Sequence, residues 1–233
     1  MRFDDGHRPS SMTPANSCAE EHPHLLSLLA GVLTRGDVFL DVGANIGYFA
    51  VPIASLVGGE GQVIAFEPAV DSARALRTKA RDLGLLPRIS IHEMALGSED
   101  DSRVLRGDPE HPEDSTKRSL VIDGPAVGEV RVRSFDGLVA SGEVVLPKGI
   151  QAVKIDVEGA EMDVLAGMRG SLHRFRPRMV VAETIQGHLR RAGSTVSDVH
   201  AFMRTLDYVA LEGARIGKPL ELNAVFVPHQ ARD

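Results

Sequence analysis

The sequence holds a single cysteine, Cys18, in 233 residues, so no intrachain disulfide can form and a reducing, cytoplasmic setting is expected. It has no apolar run long enough to cross a bilayer, which argues against a membrane-spanning helix. The opening stretch, Met1-Arg-Phe-Asp-Asp-Gly-His7, is polar and carries two acids, whereas a secretory signal needs a basic start and an apolar core. Internal repeats and low-complexity tracts are also missing. So is a net positive charge: 26 Lys and Arg stand against 32 Asp and Glu, a balance of −6. Without a global basic field, a nucleic-acid partner is not expected, and a small or neutral molecule fits better.

What is present reads as one domain. The chain is 43% hydrophobic, enough for a sizeable core. Residues 1–22, rich in Ser, Pro and charge, read as a flexible arm, and 23–233 as a single domain. A short helix over Pro23–Leu33 precedes an alternation of strands and helices, the pattern of a parallel sheet. Strands are expected at Val38–Val42, Gln62–Phe66, Arg88–His92, Gln151–Ile155 and Met179–Ala182, with a late antiparallel pair at Tyr208–Leu211 and Asn223–Val227. Helices are expected at Tyr48–Val57, Asp71–Leu83 (Asp71 as cap, Gly84 as stop), Gly159–Met168 and Thr195–Leu206. The stretch near 98–128 holds Pro109, Pro112 and Pro125 and little periodicity, and reads as a long insert loop. Glu129–Arg133 alternates like an edge strand.

Three motifs carry chemistry. Asp41-Val-Gly-Ala-Asn-Ile-Gly47 follows a strand and opens a helix, the context of a nucleotide-type site. Gly43 and Gly47 let the backbone turn sharply and approach a ligand; an ordinary tight turn is the plain alternative. Glu67 ends the next strand about 20 residues on, where an acid accepts ribose hydroxyls, although it could instead cap the following helix. A dinucleotide loop would read G-x-G-x-x-G. Here Asn45 takes the place of the glycine that admits a pyrophosphate, which speaks against NAD. S-adenosylmethionine has no phosphate. Asp41 would face its amine, and backbone N–H groups of the loop its carboxylate. The third motif, Val153-Lys-Ile-Asp-Val-Glu-Gly-Ala-Glu161, places Asp156 and Glu158 at the end of the fourth strand, toward the cleft. Helix capping is the alternative for Asp156, and a dipole role is the reading for Glu161.

DVGANIGYFA, AFEP, MALG and KIDVEGAEMDVLAGM, in this order and spacing, resemble the FkbM family of S-adenosylmethionine-dependent methyltransferases over about residues 36 to 228. The resemblance implies a Rossmann-like class I methyltransferase fold: α/β, a mostly parallel seven-stranded sheet, helices on both faces and the last strand antiparallel. It implies methyl transfer to a hydroxyl of a small molecule such as a polyketide or sugar, with S-adenosylmethionine as cofactor. By the same resemblance Asp41, Gly43, Ala44, Asn45, Gly47 and Glu67 match cofactor-binding positions, and Met94 and Ala95 lie beside the adenine.

For the chemistry, Asp156 is the first candidate, near the cofactor or as base, followed by Glu158, Glu183 and His188, the last placed in a loop. Asp156 and Glu183 would end neighbouring strands and converge, which opens a Mg²⁺-assisted route. Two carboxylates are a thin ligand set, so a metal-free site is the expectation. N-methylation of an amine and a non-catalytic cofactor-binding module are the rival functions.

Overall fold

The computed structural model describes residues 23–111, 114, 117–211 and 223–229; the N-terminal arm expected at 1–22 lies outside them. Helix α1 (Pro23–Val32) leads into β1 (Val38–Val42), α2 (Ala50–Val57), β2 (Gln62–Phe66), α3 (Val70–Asp82), β3 (Ile89–His92), β4 (Ala95–Leu96), β5 (Asp101–Arg106) and β6 (Ala126–Arg133). Then come α4 (Phe135–Ala140), β7 (Ala152–Ile155), α5 (Glu161–Gly167), α6 (Arg169–Phe175), β8 (Met179–Glu183), α7 (Gln186–Arg191), α8 (Val196–Arg204), β9 (Tyr208–Ala210) and β10 (Asn223–Pro228).

Seven strands form one sheet in the order β3-β2-β1-β7-β8-β10-β9. Its members pair in parallel except for β10, which runs antiparallel to both neighbours. Central strands must be apolar on both faces because helices cover both. Accordingly, β1 and β8 are buried along their whole length. Phe39, Val63 and Val181 pack beneath α1, α2 and α3; Leu40, Val153 and Val180 pack beneath α4, α5, α6 and α8. Helix α3 earns its place through a buried stripe of Ala73, Leu76 and Ala80. A reciprocal capping box, Thr195 with Asp198, starts α8.

Between β3 and β7 the chain departs from the expected loop. Strands β5 and β6 pair antiparallel, and β6 also pairs with β4, giving a second sheet in the order β4-β6-β5. The stretch called an edge strand is therefore the middle strand of this small sheet. In β5 only Leu105 is a buried apolar residue, and Val104 is exposed, so alternation was too weak to see. Helix α3 begins one residue before Asp71, whose side chain does not cap it. The run expected as one helix over Gly159–Met168 starts at Glu161 and breaks at Met168, which is buried with Val164, Leu165 and Leu172. Among the described residues, no helix is long and apolar enough to cross a membrane.

Candidate active site

Because parallel strands point the same way, their carboxyl ends share one edge, and open α/β sheets bind ligands there. A cavity of about 450 Å³ lies at that edge, within the usual range of small-molecule sites. Its walls come from the loop after β1 (Gly43, Ala44, Asn45), the end of β2 (Glu67), the turn after β3 (Met94, Ala95) and the ends of β7 and β8 (Asp156, Glu158, Glu183). His188 and Arg191 enter from α7, and Arg118 and Ser119 from the segment between β5 and β6. Of the residues singled out in the sequence, Asp41 and Gly47 do not line it.

Every backbone N–H of the glycine loop is already used. Gly43 and Ala44 both donate to the Phe66 carbonyl at 3.0 Å, and Gly47 donates to Ala44 at 2.9 Å. The Asn45 N–H donates to Glu67 Oε2 at 2.8 Å, and Ile46 N–H to the Asn45 side-chain oxygen at 2.7 Å. The expectation that these groups would receive a ligand carboxylate is therefore corrected: Gly43, Ala44 and Asn45 hold the loop against the end of β2, and Ile46 and Gly47 close it on itself. Asn45 supports this shape from the left-handed region, φ 48°, which asparagine tolerates better than most residues.

The glycines likewise serve packing. A Cβ on Gly43 would stand 1.8 Å from the Asp156 carbonyl oxygen, so β7 itself occupies the space. On Gly47 it would meet Leu76 Cδ1 at 2.3 Å, the close approach of loop and helix that a glycine here permits.

Glu67 is 8% exposed, and its second oxygen accepts from Ala69 N–H at 2.8 Å, at the start of α3. That bond fixes the chain where it enters α3, and Asp71 does not cap the helix. Asp71 instead forms a two-point pair with Arg118, with NH2 to Oδ2 at 2.8 Å. Burial pushes the Glu67 carboxyl up to about 7, against the Ala69 and Asn45 amides and the Arg118 charge, which favour its ionised form. Each Glu67 oxygen keeps a lone pair free for a hydroxyl.

Lys154 was not singled out in the sequence. It is 3% exposed in the middle of the sheet, opposite Asp41 in the β1–β7 register. Its ammonium donates to Asp156 Oδ2 at 2.8 Å and lies 4.7 Å from the Phe49 ring centroid. Burial works against its charge, but Asp156 and Asp41 outweigh this and raise its pKa. Asp41 is 1% exposed, and neither carboxylate oxygen has a hydrogen-bond partner. Burial lifts its carboxyl to about 6, despite Lys154, with Asp156 adding to the rise.

At the other end, His188 Nδ1 lies 3.1 Å from Glu158 Oε2 and 3.2 Å from Glu183 Oε2. His188 is not in a loop: it belongs to α7, one turn from Arg191. Asp156 does not join this convergence, being tied to Lys154, and Glu158 takes its place. Hydrogen bonds to Glu158 and Glu183 raise the imidazole to about 10. Burial raises Glu183 to about 8, with Asp156 and Glu158 adding to it, so the cluster retains protons at neutral pH. Glu161 is buried and clamps the turn by accepting from Val157 and Gly159 N–H. Ser119 donates to the Glu158 carbonyl at 2.8 Å, tying the inserted sheet to the same turn.

A seven-stranded sheet of this order, with acids at the ends of β2, β7 and β8 around a cavity, is the Rossmann-like fold of class I methyltransferases. Residues 41–210 match the Methyltransferase FkbM domain; the chain belongs to that family, and its cofactor is S-adenosylmethionine. Among relatives, it is 31% identical over 176 residues to the 31-O-demethyl-FK506 methyltransferase FkbM of Streptomyces tacrolimicus, covering 65% of this chain and 66% of that one. It is 30% identical over 149 residues to the hexuronic acid methyltransferase AglP of Haloferax volcanii, covering 64% and 56%. The chain thus spans between about half and two thirds of these relatives' lengths. Among solved structures, a methyltransferase from Geobacter sulfurreducens superposes with a TM-score of 0.51 at 15% identity, over 90% of this chain and 79% of that one. At that identity it speaks for the fold alone.

Proposed function

We propose that this domain transfers a methyl group from S-adenosylmethionine to a hydroxyl oxygen of a small molecule. The observation that carries the reading is the Glu158–Glu183–His188 cluster at one end of a cavity whose other end is walled by the glycine loop and Glu67. When bound, the cofactor supplies a methyl carbon already activated by its sulfonium. The protein's task is to align the acceptor oxygen with that carbon and to ease departure of the acceptor proton.

In this reading Glu67 accepts the ribose hydroxyls, and Met94 and Ala95 flank the adenine. Gly43, Ala44 and Asn45 shape the wall along the methionine end, with Gly47 packing behind them. Lys154 holds Asp156 in place beside that end, with Asp41 beneath. We move the chemistry from Asp156 to Glu158, Glu183 and His188, because Asp156 is tied to Lys154 while the other three converge. The two relatives, a 31-O-demethyl-FK506 methyltransferase and a hexuronic acid methyltransferase, favour an oxygen acceptor and a small molecule. The net charge of −6 fits a partner other than nucleic acid, and the single cysteine fits the cytoplasm.

Calorimetry with S-adenosylhomocysteine tests the cofactor half. Glu67→Gln keeps the shape but loses the charged acceptor, so affinity is expected to fall about tenfold to a hundredfold. The pH dependence has a definite sign. Glu67 is ionised above about 7 and protonated below it, so affinity is expected to be high at pH 8 and to drop by about tenfold at pH 6. Glu67→Gln should flatten that profile. An unchanged affinity in the variant would remove Glu67 from the site. The acceptor half is tested by mass spectrometry of methylated hydroxy compounds; methylation confined to amines would overturn it.

A further inference from the structure

We propose that Glu158, Glu183 and His188 form a binding site for one divalent first-row cation, with the acceptor oxygen as a further ligand. The inference rests on the methyl-transfer reading and names how that site handles its acceptor.

The geometry is that of a coordination sphere. A cation holding imidazole nitrogen and carboxylate oxygen at about 2.0–2.2 Å separates adjacent donors by roughly 3.0–3.5 Å. His188 Nδ1 lies 3.1 Å from Glu158 Oε2 and 3.2 Å from Glu183 Oε2. No two of the three donor atoms are farther apart than 4.8 Å, close to the roughly 4.0–4.4 Å of donors on opposite sides of such a sphere. A small carboxylate rotation closes the remainder. Three protein ligands and an open position are what catalytic metal sites present. All three residues line the cavity, so the open positions face the place where an acceptor must lie. One imidazole with two carboxylates suits ions such as Mn²⁺ and Zn²⁺ better than Mg²⁺ or Ca²⁺, which prefer oxygen alone.

The donors are held in advance of any ion. Glu158 sits in the left-handed region at φ 56°, and its carbonyl accepts from Ser119 Oγ. A Cβ on Gly159 would meet the His188 carbonyl oxygen at 2.7 Å, so the turn after β7 and helix α7 pack as closely as glycine allows. The sequence expectation of a metal-free site turned on Asp156 and Glu183 being too few ligands. The fold withdraws Asp156 to Lys154 and supplies Glu158 and His188 in its stead.

Bound to the cation, an acceptor hydroxyl becomes more acidic. Its proton leaves to water. An oxygen lone pair then forms the new C–O bond as the methyl C–S bond breaks, and that electron pair stays on sulfur to give S-adenosylhomocysteine.

The test titrates the full chain with Mn²⁺, read by electron paramagnetic resonance, and with Zn²⁺, read by calorimetry. One saturable site is expected. Glu183→Gln and His188→Asn should each weaken it at least tenfold. Glu158→Gln, more exposed than Glu183, should do the same if that variant folds poorly. Glu143→Gln, an acid paired with Arg133 and not among the cavity walls, should leave ion affinity within about twofold. No saturable binding of either ion, or equal binding in all three ligand variants, overturns the proposal. S-adenosylhomocysteine titrated into the same samples separates the two levels. If it binds while the ions do not, only the metal site falls; if it does not bind the unaltered protein, the methyltransferase reading falls.

Discussion

Gly43→Val should yield no stably folded protein. From the sequence, a β-branched residue at this position would be expected to fill ligand space and leave the fold intact. The structure places the obstacle elsewhere. An added Cβ would stand 1.8 Å from the Asp156 carbonyl oxygen and 2.9 Å from its carbon. Both are backbone atoms of the chain leaving β7, and β7 is paired to β1 along four residues. Relief therefore requires moving one central strand against another. Gly43 also sits at φ 78°, a region that costs a non-glycine residue about 1–2 kcal/mol and a β-branched one more. Together these amount to several kcal/mol, against a total stability of about 5–15 kcal/mol. A thermal melt by circular dichroism checks it. For a chain of this size each kcal/mol is about 2–4 °C, so a loss of 10 °C or more is expected in any soluble fraction. A melt within 3 °C of the unaltered protein would show that β7 can yield. Gly47→Ala is the control: its added Cβ meets Leu76 Cδ1, the far end of a flexible side chain, so the cost should be smaller.

Lys154→Met should destabilise the apoprotein by about 3–5 kcal/mol, because removing one partner leaves buried charge uncompensated. Methionine fills much of the same volume, so packing contributes little to the loss. What disappears is a cation facing Asp41, Asp156 and Glu183 together. Two checks separate charge from packing. First, Lys154→Met combined with Asp156→Asn should recover a large part of the loss, a coupling that a packing defect would not show. Second, the deficit should shrink as pH falls. Burial already raises Asp41 to about 6 with Lys154 present. Without the cation its folded-state pKa rises further, far above the unfolded value. The folded variant then takes up a proton that the unfolded chain does not, so it gains stability as pH drops from 8 toward 5.5. Surface ion pairs such as Arg118–Asp71 are common to both proteins and cancel in the comparison. An equal deficit at pH 8 and 5.5, with no rescue by Asp156→Asn, would mean that Lys154 matters only for its shape.

Much of the frame was legible because it rests on local pattern. Strands β1 and β2 are where the runs VFLDV and QVIAF place them, since a buried parallel strand is apolar on both faces and bounded by turn residues. The glycine loop and Glu67 were legible as a pair through their spacing after those strands. Strand β5 was not legible, because the inserted sheet lies against the surface and needs just Leu105 as an apolar anchor. Helix α7 was missed for a similar reason: in Gln186–Arg191 Leu189 is the sole buried residue, and six residues cannot show a stripe. Lys154 did leave a signal, a lone charge inside an apolar central strand, whose natural reading is a buried partner on the adjacent strand.

Local pattern in the sequence was enough for the class of fold, the five parallel strands, the helices α1, α2, α3 and α8, the glycine loop and the acid that ends β2, because all of these follow from periodicity and short spacings. Which side chains meet was decided by tertiary structure. Pairing β7 in register between β1 and β8 sets Lys154 opposite Asp41 and draws Asp156 to it. The turn after β7, with Glu158 in the left-handed region, and the docking of α7 at Gly159 bring Glu158, Glu183 and His188 together across 30 residues of chain. No spacing rule encodes such a meeting, since register and close packing are properties of the whole sheet.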